Sequence, residues 1–361
     1  YSDSFLSAMN NNNQLFISTN NLKQNNNLLE QEVVSCIAEL TKETVSAKIK
    51  TDFLRELAKK GETDDELAIF IREFRKMSID PELQDFAPTA LDLCGTGGDK
   101  ANSFNISTFV SFLVASAGIP VIKHGNRSIS SKCGSADLIE GIGIPLDAPL
   151  PIMRSSMEKL NYTFLFAPKF HPAFKHIAPV RKALAKEGII TIFNLLGPTI
   201  NPAKPANQVL GVFDPNYLPK IGNALTSNKV NSGLVVHGLI DNGEISGVDE
   251  LTNCGGNSVY GIGKIKTREI ETWQPEKWNT EKGDFTELSG GNLDQNLRIM
   301  NDLRENKAPP SLKTTILLNA STAFWVQGKC SSLGEGMELA DSLIVDGVVK
   351  NWLEKASYFF K

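Results

Sequence analysis

The chain reads as an α/β protein, a small and mostly helical domain followed by a larger α/β domain with a mostly parallel central sheet. Two observations carry this expectation. Apolar residues recur at helical spacing through residues 29–78. From Pro88 onward, short β-like runs alternate with helical segments, as crossover-connected parallel strands require. A third observation places the chemistry: a glycine cluster, Gly95, Gly97 and Gly98, directly follows the first β-like run. Ligands bind at that edge of an open parallel sheet.

Taken in order, residues 1–28 carry the runs Asn10 to Asn13 and Asn25 to Asn27 and read as an irregular, Asn-rich segment. Residues 29–87 form the helical domain. Its three helices are marked by Leu29, Val33, Cys36, Ile37 and Leu40, then Phe53, Leu54 and Leu57, then Leu67, Phe70, Ile71 and Phe74, the last capped by Thr63. Pro81 and Pro88 mark the passage to the α/β domain, 88–361. Strands are expected at 90–93, 120–123, 191–193, 209–213 and 233–236, and residues 312–353 read as helices packed on their sheet.

Composition excludes several classes. With 41% hydrophobic and 22% charged residues among 361, the chain is globular rather than disordered, collagen-like or membrane-embedded. The uncharged stretch 101–122 is interrupted by Asn102, Ser103, Asn105, Ser107, Thr108, Ser111 and Pro120, and reads as a buried soluble segment. A net charge of −4 provides no broad positive field for nucleic acid or an anionic membrane, so an anionic partner must be held by a local site. Five scattered cysteines without a Cys-x-x-Cys pair are expected as reduced thiols. No secretory or transit pattern is read at the amino terminus, and a cytoplasmic location is expected.

Four motifs carry chemistry. Asp92 to Asp99 precedes a helix opened by Asn105, Ile106, Ser107 and Thr108, and its glycines offer backbone N–H groups to an anion. It is neither a Walker A loop nor a dinucleotide fingerprint, and Asn105 could equally be a plain N-cap. The second motif, Lys123 to Ser135, combines Lys123 and Arg127 with a hydroxyl run suited to a polyanion. In the third, His171 and His176 lack metal-ligand spacing and read as structural, while Arg181 is either a carboxylate clamp or a surface cation. The fourth, Asp249 and Glu250, offers oxygen ligands for magnesium or is a solvated acidic face.

In order, GTGGD, NIST, KHGNRSISS, GSAD, HPAFKHIAPVRKAL, FNLLGPTINPA, GVDELT, LSGGNLDQN and LLNASTAFWVQGK resemble anthranilate phosphoribosyltransferase, from about Lys60 to near the carboxyl end. The resemblance implies the nucleoside phosphorylase/phosphoribosyltransferase type of fold, in which a segment from about 171–187, bearing Arg181, joins the helical domain. It implies transfer of the phosphoribosyl group of phosphoribosyl pyrophosphate (PRPP) to the amine of anthranilate, releasing pyrophosphate, in tryptophan biosynthesis. It assigns Gly95, Gly98, Asp99, Ser103, Asn105, Ile106, Ser107, Thr108, Lys123, His124, Gly125, Asn126, Arg127, Ser128, Ile129, Ser130, Ser131 and Ser135 to PRPP. Gly95, Asn126 and Arg181 go to anthranilate, and Ser107, Asp249 and Glu250 to magnesium, with two ions beside bound PRPP. His124 is given an orienting or proton-releasing role, no covalent nucleophile is assigned, and a homodimer is expected. The competing readings are a pyrimidine nucleoside phosphorylase-like enzyme, which would carry a different phosphate signature near position 95, and a non-catalytic nucleic-acid-binding relative, which would be basic and lack the acidic pair.

Overall fold

The structure is a computed structural model and describes residues 13–99, 101–127, 132–240, 247–278 and 280–361. Its first element corrects the reading of residues 1–28 as irregular. Gln14–Lys23 is a helix, capped by Asn13, whose side-chain oxygen accepts the Leu15 N–H at 2.9 Å. Its buried face is Leu15, Ser18, Thr19 and Leu22, while Phe16 and Ile17 are exposed. Small polar residues in the stripe and apolar ones outside it erase the periodicity on which a sequence reading depends.

The helices Glu30–Thr41, Ala47–Lys60 and Asp64–Lys76 follow at the expected places. Thr63 and Glu66 cap the third reciprocally: Thr63 Oγ1 accepts the Glu66 N–H at 3.1 Å, and the Glu66 carboxylate accepts the Thr63 N–H at 2.7 Å. The same buried carboxylate takes the Leu28 N–H at 2.8 Å and the Lys60 ammonium at 2.8 Å, which fastens the chain entering Glu30–Thr41. The Ala178–Lys186 helix packs on Ala47–Lys60, and Arg55 reaches Glu187 with a two-pronged contact of 2.5 and 3.1 Å.

The sheet has strands β1 Leu91–Gly95, β2 Val121–Gly125, β3 Tyr162–Phe166, β4 Asn207–Gly211, β5 Ser232–Leu239, β6 Gly247–Val248, β7 Asn257–Gly263 and β8 Glu271–Trp273. Their order is β3-β2-β1-β4-β5-β7-β8, with β6 paired to β5. Strands β1 to β5 pair in parallel, and β6, β7 and β8 join antiparallel. The expected strand at 191–193 is instead a helix start. Asn194 Oδ1 accepts the Thr191 N–H at 3.0 Å, and Ile192–Leu196 coils away from the sheet. The third parallel strand is Tyr162–Phe166, entered through Asn161 at φ 54°.

One sheet face packs against Ile106–Ser116 and the carboxyl-terminal helices, around Leu93, Phe109, Phe112, Leu234, Ile316 and Phe324. The other shares a core with the amino-terminal helices, joining Leu54, Phe70 and Phe74 to Leu210, Val235 and Ile221. The cleft edge of the sheet therefore lies beside the helical layer. Residues 101–122 fold as the Ile106–Ser116 helix and the start of β2, and no helix of the described residues is long and apolar enough to cross a membrane. None of the five cysteines is in a disulfide, and all are buried.

Candidate active site

Strands β1, β2 and β4 each end in a glycine, and side-chain or main-chain atoms from elsewhere fill the space a Cβ would take. At Gly95 that atom would lie 2.2 Å from Asp249 Oδ2, and at Gly125 it would lie 2.5 Å from Ser135 Oγ. At Gly211 it would lie 1.4 Å from the Asp249 main-chain carbonyl oxygen, which cannot swing aside. Gly211→Ala is therefore expected to cost more than about 3 kcal/mol, at the upper end for overpacking, and to show as a large fall in melting temperature or loss of soluble protein. A stable, active Gly211→Ala enzyme would contradict this close approach.

Beyond Gly95 the chain turns through Gly97 and Gly98, at φ +65° and +83°, a region that favours glycine. The Gly97 N–H donates to Asp249 Oδ2 at 2.7 Å, and the Asp249 N–H reaches Asp99 Oδ2 at 3.4 Å. Carboxylate oxygens of Asp99, Asp249 and Glu250 converge within 4.8 Å of one another. Glu250 Oε2 is buried without a hydrogen-bond partner among the described residues. Burial, reinforced by Asp249, pushes the Asp99 carboxyl up to about 7. Burial, then Asp249 and Asp99, raises that of Glu250 well above the ordinary range. Crowded acids with an unsatisfied oxygen fit a hard divalent cation. The structure thus brings Asp99, expected among the PRPP-binding residues, into the acidic group, while Ser107 lines the same small cavity as Asp249, Glu250 and Asn319.

The basic residues of the second motif are not the free cations the sequence suggests. Lys123, only 2% exposed, donates its ammonium to the Leu93 carbonyl and to Ser107 Oγ at 3.3 Å, so its charge reaches the cleft through Ser107. Arg127 is held by Asp137 and Glu140, each at 2.7 Å. Nearby acids on the Ser135–Gly141 helix take up its charge. Asn126 Oδ1 accepts the Arg127 N–H at 2.8 Å, and its carbonyl accepts Ser135 Oγ at 3.3 Å. Ser128, Ile129, Ser130 and Ser131 lie outside the described residues.

The opening of the Ile106–Ser116 helix also differs from expectation. Asn105 makes no side-chain cap; its amide donates to the Cys133 carbonyl and to Asn296 Oδ1, both at 3.3 Å, tying this loop to two others. Ile106 and Thr108 are fully buried and so present no side chain to the cleft. Their N–H groups are engaged by Phe104 and Asn105 carbonyls at 2.7 and 3.2 Å. An apolar helix inserted under the sheet has its first turn in the core. Ser103 bridges to Ser289, and the Phe104 N–H donates to the Leu288 carbonyl at 2.8 Å, so the LSGG segment lies over this loop.

Across the cleft, Arg181 is not a surface cation. Its guanidinium lies over the rings of Phe193 and Phe174, 5.3 and 5.9 Å from their centroids, and reaches the Phe193 carbonyl at 3.4 Å. It has no carboxylate partner among the described residues, and burial lowers its proton affinity. His124 and His171 meet edge to face at 5.0 Å, with His124 buried beside the Gly197 main chain. Burial, then His171, pushes the His124 pKa well below its ordinary value, so this imidazole is neutral.

Three supporting residues escaped the sequence reading. Asn319 brackets the Leu251 main chain, accepting its N–H at 3.1 Å and donating to its carbonyl at 2.7 Å, which orients the acidic loop. Its signal was an amide directly after the apolar run Ile316, Leu317 and Leu318. Thr96 Oγ1 accepts the Phe213 N–H at 3.0 Å and joins the glycine turn to the end of β4. Asn201 donates to Asp92 Oδ2 at 3.0 Å beneath the cleft, where burial pushes the Asp92 carboxyl up to about 6.

Comparison with known proteins places this geometry. Residues 87–350 match the family model described as the glycosyl transferase family, a/b domain. An anthranilate phosphoribosyltransferase of Synechococcus elongatus is 35% identical over 320 residues, 88% of each chain. One of Desulfosudis oleivorans is 38% identical over 311 residues, 86% of this chain and 88% of its own. The crystal structure of anthranilate phosphoribosyltransferase from Thermus thermophilus superposes with a TM-score of 0.82 at 34% identity, covering 95% of this chain and 98% of that one. The Saccharomyces cerevisiae enzyme, solved in complex with PRPP and Mg, shares the fold at 23% identity, with a TM-score of 0.76 and 92% of each chain covered. With a glycine-edged parallel sheet, a converging acidic group and relatives that align along most of its length, the chain belongs to the anthranilate phosphoribosyltransferase family.

Proposed function

We propose a division of labour among these residues for the family's reaction, transfer of the phosphoribosyl group of PRPP to the amine of anthranilate with release of pyrophosphate. The observation that carries it is the meeting of the Gly97 N–H with Asp249, 2.7 Å apart, which puts an anion-binding turn and a cation-binding acidic group at one spot. A pyrophosphate needs both.

The glycine turn at Gly95 and Gly98, with Ser103, Asn105, Ser107, Asn126 and Ser135, holds the donor's phosphates and hydroxyls through N–H and hydroxyl groups. Asp99, Asp249, Glu250 and Ser107 would hold magnesium. When bound, the metal neutralises charge developing on the departing pyrophosphate. Lys123 polarises Ser107 from below. Arg181 holds the anthranilate carboxylate in its two-pronged fork, near Gly95 and Asn126, and leaves the amine facing the sugar carbon. The amine attacks with its own lone pair as the bond to pyrophosphate breaks, then loses a proton to solvent, and neutral, buried His124 serves to orient the acceptor. Holding two reactants in line is worth effective molarities on the order of 10⁵ M or more, so no covalent nucleophile is required. Exposed Phe16, Ile17 and Leu29 on the first helices support a second copy of the chain packing there, and mass in solution tests that dimer.

Mixing the protein with PRPP, magnesium and anthranilate tests the function: anthranilate fluorescence should fall, and omission of donor or metal should abolish the change. No loss in the complete mixture overturns the reading. Lys123→Met, which keeps the buried stem, should raise the PRPP KM about tenfold, the scale of one charge-assisted bond, and leave the anthranilate KM within about twofold. Equal changes in both constants would remove the donor-side role of Lys123.

A further inference from the structure

Lys50 occupies the apolar stripe of the Ala47–Lys60 helix, three, four and seven residues before Phe53, Leu54 and Leu57, and is itself only 2% exposed. Its ammonium donates to two main-chain carbonyls, that of Lys42 at 2.6 Å and that of His176 at 3.2 Å. Among the described residues no carboxylate lies within ion-pair distance of it, although Glu39 is near enough to favour its charge against the effect of burial. A buried ammonium without a carboxylate is costly, and packing alone would be served by leucine. The two carbonyls show what the charge is for.

Lys42 closes the Glu30–Thr41 helix, so its carbonyl belongs to the negative end of that helix. His176 ends the Pro172–His176 turn, just before the Ala178–Lys186 helix that carries Arg181. Phe174, inside the same turn, packs on Phe74 at 4.8 Å and on Phe193 at 5.5 Å, and its ring lies under the Arg181 guanidinium. One ammonium therefore clasps the turn that sets both the aromatic seat and the start of the arginine's helix. We propose that Lys50 is a positioning residue for the acceptor side of the cleft: it holds the His176 carbonyl against the end of the Glu30–Thr41 helix and so fixes where Arg181 points. This rests on the reading of Arg181 as the anthranilate clamp.

The test compares Lys50→Met and Lys50→Arg with the parent, each substrate varied in turn, with thermal melts run in parallel. Lys50→Met should raise the anthranilate KM about fivefold to tenfold and leave the PRPP KM within twofold; Lys50→Arg, which restores a donor to the carbonyls, should recover most of the loss. In an Arg181→Ala background, Lys50→Met should add less than twofold, because its effect runs through the arginine. If Lys50→Met does not fold, Lys50→Gln, which keeps a donor for one carbonyl, should show the same split at smaller size. A lower melting temperature with unchanged kinetics, or equal losses for both substrates, overturns the proposal. An Arg181→Ala enzyme with a normal anthranilate KM overturns the underlying clamp instead, so the two failures are distinguishable.

Discussion

Asp249→Asn and Glu250→Gln should each give a folded protein whose turnover falls on the order of a hundredfold or more, as when a group aimed at developing transition-state charge is removed. Folding should survive for different reasons. The asparagine keeps an oxygen to accept the Gly97 N–H, now held at 2.7 Å. The glutamine removes one of three crowded acids, whose mutual repulsion and burial already raise Asp99 and Glu250. Glu250→Gln should therefore match or exceed the parent's melting temperature without metal while losing activity. Such opposite movement of stability and turnover marks a strained functional group rather than a structural one. Near-parental turnover and magnesium dependence in both variants would remove the metal assignment.

Arg181→Ala should raise the anthranilate KM roughly tenfold to a hundredfold, the equivalent of losing a charged hydrogen-bonded contact of about 1.5–3 kcal/mol. The PRPP KM should change little. The free enzyme loses little by the change, since Arg181 has no carboxylate partner among the described residues and leaves none stranded. Arg181→Lys should recover only part of the affinity, because a point charge neither forks nor lies flat over Phe174 and Phe193. Steady-state kinetics with circular dichroism as a folding control decide the matter. An unchanged anthranilate KM in Arg181→Ala would eliminate the clamp.

The parallel strands were legible where apolar residues run into a glycine, as Leu93 and Cys94 do before Gly95 in β1 and Val209 and Leu210 before Gly211 in β4, because burial on both faces writes an apolar signal. Tyr162–Phe166 carries that signal too, but it was obscured by the similar run at 191–193, which only the return of Asn194 to Thr191 turns into a helix. Chemistry was legible as residue type and not as partnership. Asp249 and Glu250 announce oxygen ligands, yet nothing local says that Asp99 joins them. Arg127 reads as a phosphate cation, but its hold on Asp137 and Glu140 depends on how the Ser135–Gly141 helix folds back. Lys50 left a fainter trace, a charge where the stripe calls for an apolar residue.

The bond between Gly97 and Asp249 spans 152 positions of chain. Closing so long a loop is an entropic cost recovered only when the intervening strands have paired, and such non-local contacts form late. During synthesis the glycine turn leaves the ribosome well before its acidic counterpart exists, and at roughly 5–20 residues per second the interval is on the order of ten seconds or more. The growing chain therefore spends that time with half a cleft, its glycine-edged strand ends uncovered and Asp99 still without Asp249 and Glu250. Competence for catalysis arrives as one of the last events of maturation, when β6 pairs with β5 and the acidic loop settles against the glycine ends of β1 and β4.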